Sequence, residues 1–414
     1  MGVEDGLAGL PRLETRRLAL RVTPAAERAI RAGHPWLFDQ SIQQQSGDGR
    51  SGDLAVVFDR KGRFLAVGLY DPLTPLRVRL LQSGAPAPIN RAWFSARLVD
   101  ALRRRAALPS AQTNGYRLVH GENDGLPGLI LDRYGATAVL KLYTAAWIPH
   151  LREVLAAATA VVPLERLVLR LSRHVQQHPA ALHGLENGRV LLGPLLDGPV
   201  AFVENGLAFE ADVVQGQKTG FFLDQRDNRA RVEALARGKT VLNVFAYTGG
   251  FSLYAARGGA TQIVSLDLSR PALAQAERHF KLNRSIPPVA AARHEILAGD
   301  AFAALTQLRE DRRRFDLVVL DPPAFARRSD EVARALVAYG RLTRLALDAL
   351  RPGGTLVAAS CSSRVTADAF FDVVHAAAAA AQRPLREFER TGHPVDHPIG
   401  FKEGAYLKCL FAMA

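Results

Sequence analysis

Residues 240–267, TVLNVFAYTGGFSLYAARGGATQIVSLD, read as a strand, a glycine-containing turn, a helix and a second strand. Three further apolar strands follow at residues 294–300 (HEILAGD), 315–321 (FDLVVLD) and 355–360 (TLVAAS), with helical segments rich in Ala and Leu between them. Short apolar strands that alternate with helices are typical of a parallel, doubly wound sheet buried on both faces. The pattern therefore predicts an α/β fold whose first five strands lie in the order 3-2-1-4-5.

The turn after the first strand indicates which ligand such a sheet would bind. It is not a G-x-G-x-x-G turn, because Gly249 and Gly250 are adjacent and Phe245, Tyr247 and Phe251 add bulk where a pyrophosphate needs bare backbone. A nicotinamide oxidoreductase is therefore disfavoured, and a nucleoside without phosphates, such as S-adenosylmethionine, fits better. The alternative is that these glycines only allow close packing of the helix on the strand.

Acidic residues end the next two strands. Asp267 ends the second strand, at a spacing that suits a ribose hydroxyl in a doubly wound sheet. Asp300 ends the third strand, where it would accept a hydrogen bond from an adenine amine. Taken alone, Asp300 is equally compatible with an ordinary helix N-cap.

The fourth and fifth strands end in reactive side chains. Residues 315–330 read FDLVVLDPPAFARRSD and residues 355–365 read TLVAASCSSRV. Ligands bind outside the carboxyl ends of such strands, and neighbouring strands lie about 4.8 Å apart. We therefore expect Asp321 and Cys361 to lie in one small site beside the cofactor.

An Asp and a Cys beside a methyl donor suggest methylation of a pyrimidine carbon. A Cys361 thiolate would add to C6 of cytosine and make C5 nucleophilic, while Asp321 contacts the N3/N4 edge of the base. A free thiol needs help to ionise, and Arg364 and the N-terminus of the helix that starts near Thr366 are the candidate sources. The alternative for Cys361 is the commoner fate of a free Cys, a small buried hydrophobe.

Composition limits the class of protein. The chain has 414 residues, a net charge of +13 and a pI near 10.2, and only seven of its 53 basic residues are Lys. Arg suits phosphate and base contacts, although an Arg-rich composition also follows from a GC-rich genome. The two cysteines make a disulfide framework improbable and a Cys-rich zinc site impossible. Without an apolar signal core or a membrane-length apolar run, we expect a cytoplasmic protein.

The order of elements predicts several domains. Residues 1–15 read as a loose tail, and residues 16–84 are rich in short strands and Gly turns. Residues 85–200 mix helices and strands in an α+β domain. Residues 201–414 contain a hairpin-like pair of strands followed by the doubly wound sheet.

Several of these motifs together resemble a known family. The stretches GQKTGFFLDQRDNR, LNVFAYTGGFSLYAARGGA, DPPAFAR, SCS and YLKC are similar to those of the class I large-subunit ribosomal RNA methyltransferases that make 5-methylcytidine. HPWLFD and GRFLAVGLYDPLTPLRVRLL resemble the PUA domain that precedes the catalytic domain in this family, and YRLVHGENDGLPGLILDRYG resembles its central domain. The resemblance implies an N-terminal PUA-like β barrel, a central α+β domain and a C-terminal Rossmann-like class I methyltransferase fold.

The resemblance also assigns roles to residues. Cys361 would be the nucleophile, with Asp321 beside both the base and the cofactor. The remaining contacts to S-adenosylmethionine would come from residues that close over it, line its methionine side, or bind its ribose and adenine: Phe222, Asp224, Arg226, Phe245, Ala246, Tyr247, Thr248, Gly249, Asp267, Ser269 and Asp300.

The chain departs from related enzymes at one position. Other RNA cytosine-C5 methyltransferases carry a second Cys after the fourth-strand proline, where this chain has Ala324. The chain thus resembles a single-cysteine branch, and the base that removes the C5 proton stays open. Two alternatives remain, an RNA guanine (N7 or N2) methyltransferase in which Cys361 is structural, and a non-catalytic RNA-binding protein.

The expected partner is large-subunit rRNA, with no membrane and with a homodimer left open. Aromatic rings interleaved with cations suit unpaired RNA, although His34 and Trp36 are equally compatible with a local core. Paired prolines would stiffen the loop after the fourth strand and aim its carbonyl groups at the base. The candidate RNA-binding residues are Arg31, His34, Trp36, Tyr70, Lys218, Pro322 and Pro323.

Overall fold

The computed structural model describes residues 3–110 and 112–414. These residues form two compact units, each with its own hydrophobic core. The N-terminal unit comprises Met1–Gly206, Ala211–Leu223 and Val395–Lys402, and the C-terminal unit comprises Leu207–Glu210, Asp224–Pro394 and Glu403–Ala414.

Six strands form the first sheet of the N-terminal unit. Their bounds are β1 Arg17–Val22, β2 Trp36–Leu37, β3 Ile42–Gln45, β4 Leu54–Phe58, β5 Phe64–Tyr70 and β6 Val78–Ser83, and their order is β2-β6-β5-β4-β1-β3. Every second residue of β1 is buried, so Leu18, Leu20 and Val22 point into the core. This is the small, mostly β unit that the spacing of strands and Gly turns predicts.

The loose tail predicted for residues 1–15 is partly wrong. Met1 and Gly2 lie outside the described residues, but helix α1 follows at once, Val3–Ala8. Leu10 is buried in the hydrophobic core, and the Arg152 guanidinium donates a hydrogen bond to the Leu7 carbonyl oxygen. Leu7 and Leu10 are two apolar residues in a short segment, and so short a pattern does not reveal that the segment packs on the core. Helix α2, Pro24–Arg31, follows β1, and the Thr23 side chain caps its N-terminus by accepting from the Ala26 backbone N–H.

A second sheet completes the N-terminal unit as a central α+β layer. Its strands are β7 Gly115–His120, β8 Leu129–Tyr134, β9 Thr137–Leu142, β10 Arg166–Leu171 and β11 Val190–Leu192, in the order β11-β10-β9-β8-β7. The helices of this layer are α3 Arg91–Arg104, α4 Leu151–Val161 and α5 Arg173–Gln176. Trp147 is fully buried in this layer, and its indole N–H donates to the Pro127 carbonyl oxygen at 2.8 Å.

A late segment of the chain, Val395–Lys402, belongs to the N-terminal unit because buried polar groups hold it there. The Arg105 guanidinium donates to the Asp396 carbonyl oxygen at 2.9 Å, and the Arg117 backbone N–H donates to the Asp396 carboxylate at 2.9 Å. Arg105 also pairs with the buried Asp124 at 2.6 Å. Removing either partner of such a buried pair leaves an uncompensated charge, which is strongly destabilising.

Two short strands, β12 Val200–Glu204 and β13 Leu207–Ala211, flank a tight turn. Asn205 and Gly206 in this turn both have positive φ, 48° and 80°. Asn and Gly are the residues that tolerate this conformation, so the turn lies where the Asn-Gly pair predicts it.

The C-terminal unit is built on a seven-stranded sheet. Its strands are β14 Thr240–Val244, β15 Gln262–Asp267, β16 Arg293–Ala298, β17 Phe315–Leu320, β18 Leu350–Ser360, β19 Arg386–Thr391 and β20 Lys408–Met413. Its helices are α6 Arg226–Leu235, α7 Gly250–Arg257, α8 Arg270–Leu282, α9 Pro287–Ala291, α10 Ala301–Glu310, α11 Val332–Asp348 and α12 Ala367–Ala380. No helix in the described part of the chain is long and apolar enough to cross a membrane.

The strand order of this sheet is β16-β15-β14-β17-β18-β20-β19. The first five strands pair in parallel, in the order predicted from the sequence, and the fold prediction is confirmed. Strands β19 and β20 extend the sheet as antiparallel neighbours, and β20 lies directly against β18. The middle strands β14 and β17 are mostly apolar and almost entirely buried, as expected for parallel strands with both faces covered, and Thr240, Asn243 and Asp316 are their polar residues.

A chain of buried polar groups crosses this sheet. The Asn243 side-chain amide donates to Ser252 Oγ at 2.9 Å, and Ser252 Oγ lies 2.7 Å from Ser265 Oγ. Ser265 Oγ in turn lies 2.8 Å from His294 Nε2. The His294 ring also stacks on Phe280, with ring centroids 3.8 Å apart. Burial lowers the pKa of His294 from 6.5 to about 4.

We predict that His294 makes the fold acid-sensitive between about pH 6.5 and pH 4. In this window the unfolded chain binds a proton at this ring and the folded chain does not, so the free energy of unfolding falls as the pH falls. The fall in pKa from 6.5 to about 4 corresponds to a loss of about 3 kcal/mol, at about 1.4 kcal/mol per pKa unit. In denaturant titrations across this range, His294→Gln should show a shallower pH slope than wild type. The same substitution at the exposed His174 is the control, and equal slopes for wild type and His294→Gln would contradict the assignment.

Candidate active site

The turn between β14 and α7 is strained in a way that suits a binding site. Phe245 and Tyr247 have positive φ, 62° and 48°, a conformation that side chains rarely adopt. Gly249 has φ 75° and packs so closely on α8 that an added Cβ would lie 2.7 Å from the Cβ of Ala276. The five predicted cofactor residues from Phe245 to Gly249 thus form one tightly constrained loop at the carboxyl end of β14.

The carboxylate of Asp267 holds this loop to the end of β15. Its Oδ2 accepts a hydrogen bond from the Tyr247 backbone N–H at 2.8 Å, and its Oδ1 accepts one from the Ser269 backbone N–H at 2.8 Å. The Ser269 hydroxyl in turn accepts from the Ala272 backbone N–H at 3.3 Å and caps α8. An ionised carboxylate has about four acceptor positions, so Asp267 retains acceptor capacity for a ligand hydroxyl.

Thr248 provides an observation that points to a polar ligand. Its hydroxyl is buried and has no hydrogen-bond partner among the described residues. A buried polar group without a partner is costly unless something else satisfies it. Together with the constrained loop and the Asp267 carboxylate, this hydroxyl fits a ligand with polar groups of the nucleoside or amino-acid kind. A methyl donor such as S-adenosylmethionine contains both a nucleoside and an amino acid.

Asp300 occupies the next strand end. It follows β16, which pairs with β15 so that Ala298 lies opposite Asp267. Its side chain is exposed and accepts a hydrogen bond from the Ala303 backbone N–H at 3.0 Å, which makes it the N-cap of α10. The helix cap accounts for Asp300 without a ligand, so its contact with adenine stays a prediction.

Asp321 and Cys361 lie side by side at the carboxyl ends of β17 and β18. In the register of these strands Leu320 lies opposite Ala358, and the Cys361 Sγ is 3.8 Å from the carbonyl oxygen of Pro322. Cys361 is half-buried and reduced. Pro322 is buried and Pro323 is exposed, so the first proline backs the site and the second faces solvent.

Asp321 is held by a chain of side chains that the sequence did not reveal. The Gln225 side-chain amide donates to Asp321 Oδ1 at 2.8 Å, and the Asn228 amide donates to Gln225 Oε1 at 2.6 Å. The Thr391 hydroxyl completes the chain by donating to Asn228 Oδ1. Gln225 and Asn228 are both buried. Both residues stand in the stretch FFLDQRDN, but nothing in its local pattern indicates a contact with a residue about a hundred positions later.

The segment that carries Cys361 is fixed by two further residues. The Tyr339 hydroxyl lies 2.9 Å from both Ser360 Oγ and Ser362 Oγ. The Lys408 ammonium donates to the carbonyl oxygens of Ser362 and Val365 at 2.5 and 2.7 Å. Lys408 is buried, and burial lowers its pKa to about 8.

The cation beside the thiol differs from the sequence expectation. Arg364, the expected source of positive charge, is exposed, whereas Lys408 is the buried cation that interacts electrostatically with Cys361. Helix α12 begins at Ala367 with Thr366 as its N-cap, as predicted.

Two of the predicted cofactor residues offer little surface to a ligand. Asp224 and Arg226 are only 3% and 2% exposed, and the Tyr406 hydroxyl donates to Asp224 Oδ2 at 2.8 Å. Their contact with the cofactor stays a prediction, and the structure gives Asp224 a supporting contact within the C-terminal unit. Phe222 is half-buried and belongs to the N-terminal unit, where the Lys218 ammonium lies 4.7 Å from its ring centroid.

The predicted RNA-binding residues of the first sheet fall into two groups. Tyr70 is 5% exposed within the β core, so it offers no ring face for stacking on a base, and that assignment is wrong. Trp36 donates its indole N–H to Glu122 at 2.9 Å and packs edge-on against Phe401. His34 packs against both of these rings, as the local-core alternative describes.

The other predicted cations remain accessible. Arg31 is exposed and forms ion pairs with Glu27 and Asp59. Lys218, with φ 54°, accepts a hydrogen bond at its carbonyl oxygen from the Lys141 ammonium at 2.6 Å. Lys141 also lies 5.5 Å from the ring centroid of the exposed Tyr143. Lys141 and Tyr143 were not predicted from the sequence, because the stretch KLY that contains them reads only as the end of a strand.

Family models match most of the chain. Residues 176–411 match the model of S-adenosylmethionine-dependent methyltransferases, and residues 20–83 match a PUA-like domain. Together they support both the predicted fold and the predicted cofactor.

The chain is similar over its whole length to named proteins. It is 50% identical to a "Ribosomal RNA large subunit methyltransferase" of Deinococcus radiodurans, over 97% of this chain and 98% of that protein. It is 36% identical to "Ribosomal RNA large subunit methyltransferase I" of Pseudoalteromonas translucida, over 95% of this chain and 98% of that protein. Among solved structures, a methyltransferase complexed with SAH superposes with a TM-score of 0.82 at 23% identity, over 97% of this chain and 100% of that one.

We predict that Gly249→Ala destabilises the C-terminal unit and weakens S-adenosylhomocysteine binding. The added Cβ meets Ala276, and the positive φ disfavours any side chain, so the free energy of unfolding should fall by about 1–3 kcal/mol. Denaturant melts measure the loss. Gly299→Ala is the matched control, because a Cβ there meets no atom within 4 Å. Equal stability of the two variants would show that the loop adapts.

We predict that Asp267→Asn weakens S-adenosylhomocysteine binding. The amide turns one of the two acceptor oxygens into a donor that faces a backbone N–H, which loosens the loop and removes acceptor capacity. Calorimetric titration should show an increase in Kd of about tenfold or more, the effect of losing one hydrogen bond to a charged group. Asp368→Asn, on the exposed first turn of α12, should bind like wild type. Unchanged binding by Asp267→Asn would remove Asp267 from the cofactor site.

Proposed function

Because the chain belongs to the S-adenosylmethionine-dependent methyltransferase family and its relatives at 36–50% identity are named large-subunit rRNA methyltransferases, we propose that it methylates C5 of a cytosine in large-subunit rRNA. The family supports the coarser activity, which is methyl transfer from S-adenosylmethionine to rRNA. The finer part, the cytosine C5 target, rests on the residues at the ends of β17 and β18.

The observation that carries the proposal is the adjacency of Asp321 and Cys361. The Cys361 Sγ lies 3.8 Å from the carbonyl oxygen of Pro322, the residue that directly follows Asp321. Gln225 holds the Asp321 carboxylate in place. Methylation at a ring nitrogen of guanine needs no nucleophile of its own, because the nitrogen lone pair attacks the methyl group directly. A carbon target does need one, and a cysteine beside a base-binding carboxylate supplies it.

The proposed reaction uses these side chains in sequence. The Cys361 thiolate forms a bond to C6 of the cytosine, and the C5–C6 electron pair becomes available at C5 while Asp321 supports protonation at N3. S-adenosylmethionine, when bound, would supply an electrophilic methyl group to C5, with its S–CH3 bond breaking and S-adenosylhomocysteine as the leaving group. A general base then removes the C5 proton, the C6–S bond breaks, and the thiolate is restored.

Asp321 contributes through its fixed position. The Gln225 side-chain amide donates to Asp321 Oδ1 and so orients the carboxylate that would meet the N3/N4 edge of the base. A carboxylate that is oriented before the substrate arrives loses less entropy on binding it. The buried chain through Gln225 and Asn228 therefore supports Asp321 in the role of a base-contacting residue.

The RNA-binding surface is a separate part of the proposal. In the N-terminal unit, Lys218, Lys141 and Tyr143 bring two cations and an exposed ring together, and Lys218 also lies over Phe222. Cations next to rings suit unpaired nucleotides, which proteins bind by stacking and by phosphate contacts. The net charge of +13 favours the same class of partner. Pro323, which is exposed two residues after Asp321, remains a candidate contact to the base.

We predict that Cys361→Ala abolishes product formation. Labelled S-adenosylmethionine and deproteinised large-subunit rRNA are incubated with enzyme, and the RNA is digested to nucleosides. Wild type should yield labelled 5-methylcytidine, whereas Cys361→Ala should lose at least about a thousandfold in rate because the nucleophile is gone. Binding of S-adenosylhomocysteine should persist in the variant.

Cys409→Ala is the matched control. Cys409 is fully buried in β20, and burial raises the pKa of its thiol well above the usual value, so it has no part in the reaction. This variant should make 5-methylcytidine. Labelled methylguanosine, or full activity of Cys361→Ala, would instead assign the guanine activity and make Cys361 a packing residue.

A further inference from the structure

Strand β20 places a lysine beside the segment that carries Cys361. In the antiparallel pairing of β18 and β20, Lys408 lies opposite Ser360, the residue before Cys361. The Lys408 side chain is 5% exposed, although lysines are almost never buried without a reason.

All three N–H donors of this ammonium are used on backbone carbonyl groups. They point to the carbonyl oxygens of Ser362, Val365 and Tyr406, the last at 3.3 Å. No carboxylate forms an ion pair with Lys408 in the described part of the chain. Carbonyl dipoles satisfy the hydrogen bonds but leave a full positive charge in a buried position, which is unfavourable without an anion nearby.

The Cys361 sulfur is the group that can provide that anion. The carbonyl oxygens that bind Lys408 belong to the first and fourth residues after Cys361, and the two side chains interact electrostatically. We propose that the Lys408 ammonium stabilises the Cys361 thiolate and, as a positioning residue, holds the segment from Cys361 to Val365 in place. This inference rests on the nucleophilic role proposed for Cys361.

Several neighbouring elements contribute groups to this balance of charge, among them β19, which carries Glu389 beside β20. Directly after β17, the Asp321 carboxylate precedes Pro322, whose carbonyl oxygen contacts the Cys361 Sγ, and it disfavours a second negative charge at the site. From α11, Tyr339 is neutral, since burial raises the pKa of its hydroxyl. From the segment itself, Arg364 is exposed and screened by solvent, and the N-terminus of α12 adds a partial positive charge. From β20, Cys409 is a buried neutral thiol. Among the groups named here, Lys408 is the one that is both buried and fully positively charged.

The arrangement also explains why a lysine, which a buried strand would otherwise exclude, stands in the apolar run YLKCLF. If Lys408 served only to donate hydrogen bonds to three carbonyl groups, a neutral donor could replace it. If its positive charge stabilises a thiolate, a neutral donor cannot replace it.

The test measures the ionisation of Cys361 in the full-length protein without RNA or S-adenosylmethionine. Rates of alkylation by iodoacetamide are followed from pH 5.5 to 9.5, and peptide mass spectrometry separates Cys361 from Cys409. In wild type, the alkylation pKa of Cys361 should lie below the value of about 8.5 for a free thiol. Lys408→Met keeps the length of the side chain and removes the charge, so it should slow the alkylation of Cys361 at pH 7 by about tenfold, one pKa unit.

Two variants serve as controls. Lys239→Met removes a charge at the opposite end of the sheet, where Lys239 donates to Thr355, and should leave the Cys361 profile unchanged. Arg364→Met removes the exposed arginine and should shift the profile less than Lys408→Met does. Cys409 should stay unreactive in every variant, which verifies that β20 is intact, and Lys408→Gln replaces Lys408→Met if Cys409 becomes reactive.

The inference is overturned by a wild-type pKa at or above about 8.5, or by an unchanged profile when the charge of Lys408 is removed. A larger shift in Arg364→Met would transfer the role to Arg364. Because no substrate is present, these outcomes are independent of the methylation assay. An enzyme that produced methylguanosine would refute the proposed cytosine activity and leave the measured thiol profile as it stands.

Discussion

The parallel register of β14, β17 and β18 is the constraint on which the rest of the C-terminal unit depends. Val244 lies opposite Leu320, and Leu320 lies opposite Ala358, so three chain segments leave the sheet at the same edge. Side chains alternate between the two faces of a sheet along a strand. A shift of one residue in the pairing register would therefore move the residues at the carboxyl end of each strand to the other face. The apolar residues of these strands are buried on both faces, which fixes the register and with it the site.

Polar groups at the ends of the strands and in the segment before α6 complete the site. Asp267 holds the loop from Phe245 to Gly249, the Gln225 amide holds Asp321, and Lys408 holds the segment after Cys361. Each of these contacts satisfies backbone or side-chain groups that burial would otherwise leave unpaired, at a cost of about 1–3 kcal/mol each. The geometry of the reactive residues is therefore maintained by a surrounding layer of buried hydrogen bonds, which is how a site is oriented before its substrate arrives.

The two units divide the work between chemistry and RNA binding in the proposed function. The C-terminal unit contains the loop from Phe245 to Gly249, Asp321 and Cys361, whereas the N-terminal unit contributes cations and rings such as Lys218 and Tyr143. Tyr70 illustrates the limit of composition as a guide to such a surface. Aromatic residues near cations are candidates for base stacking, but a ring that fills the core of a small β unit is unavailable for it.

The sequence by itself determined the order of elements, the class of fold and the three strand ends that carry glycine, Asp321 and Cys361. These features follow from local periodicity and from turn residues, which depend on a few neighbouring positions. The tertiary structure decided that Gln225 supports Asp321, that Lys408 rather than Arg364 is buried beside the thiol, and that Tyr70 is core. Each of these features depends on burial or on pairing between segments that are far apart in the chain. Local sequence patterns do not indicate which distant side chain contacts a given position.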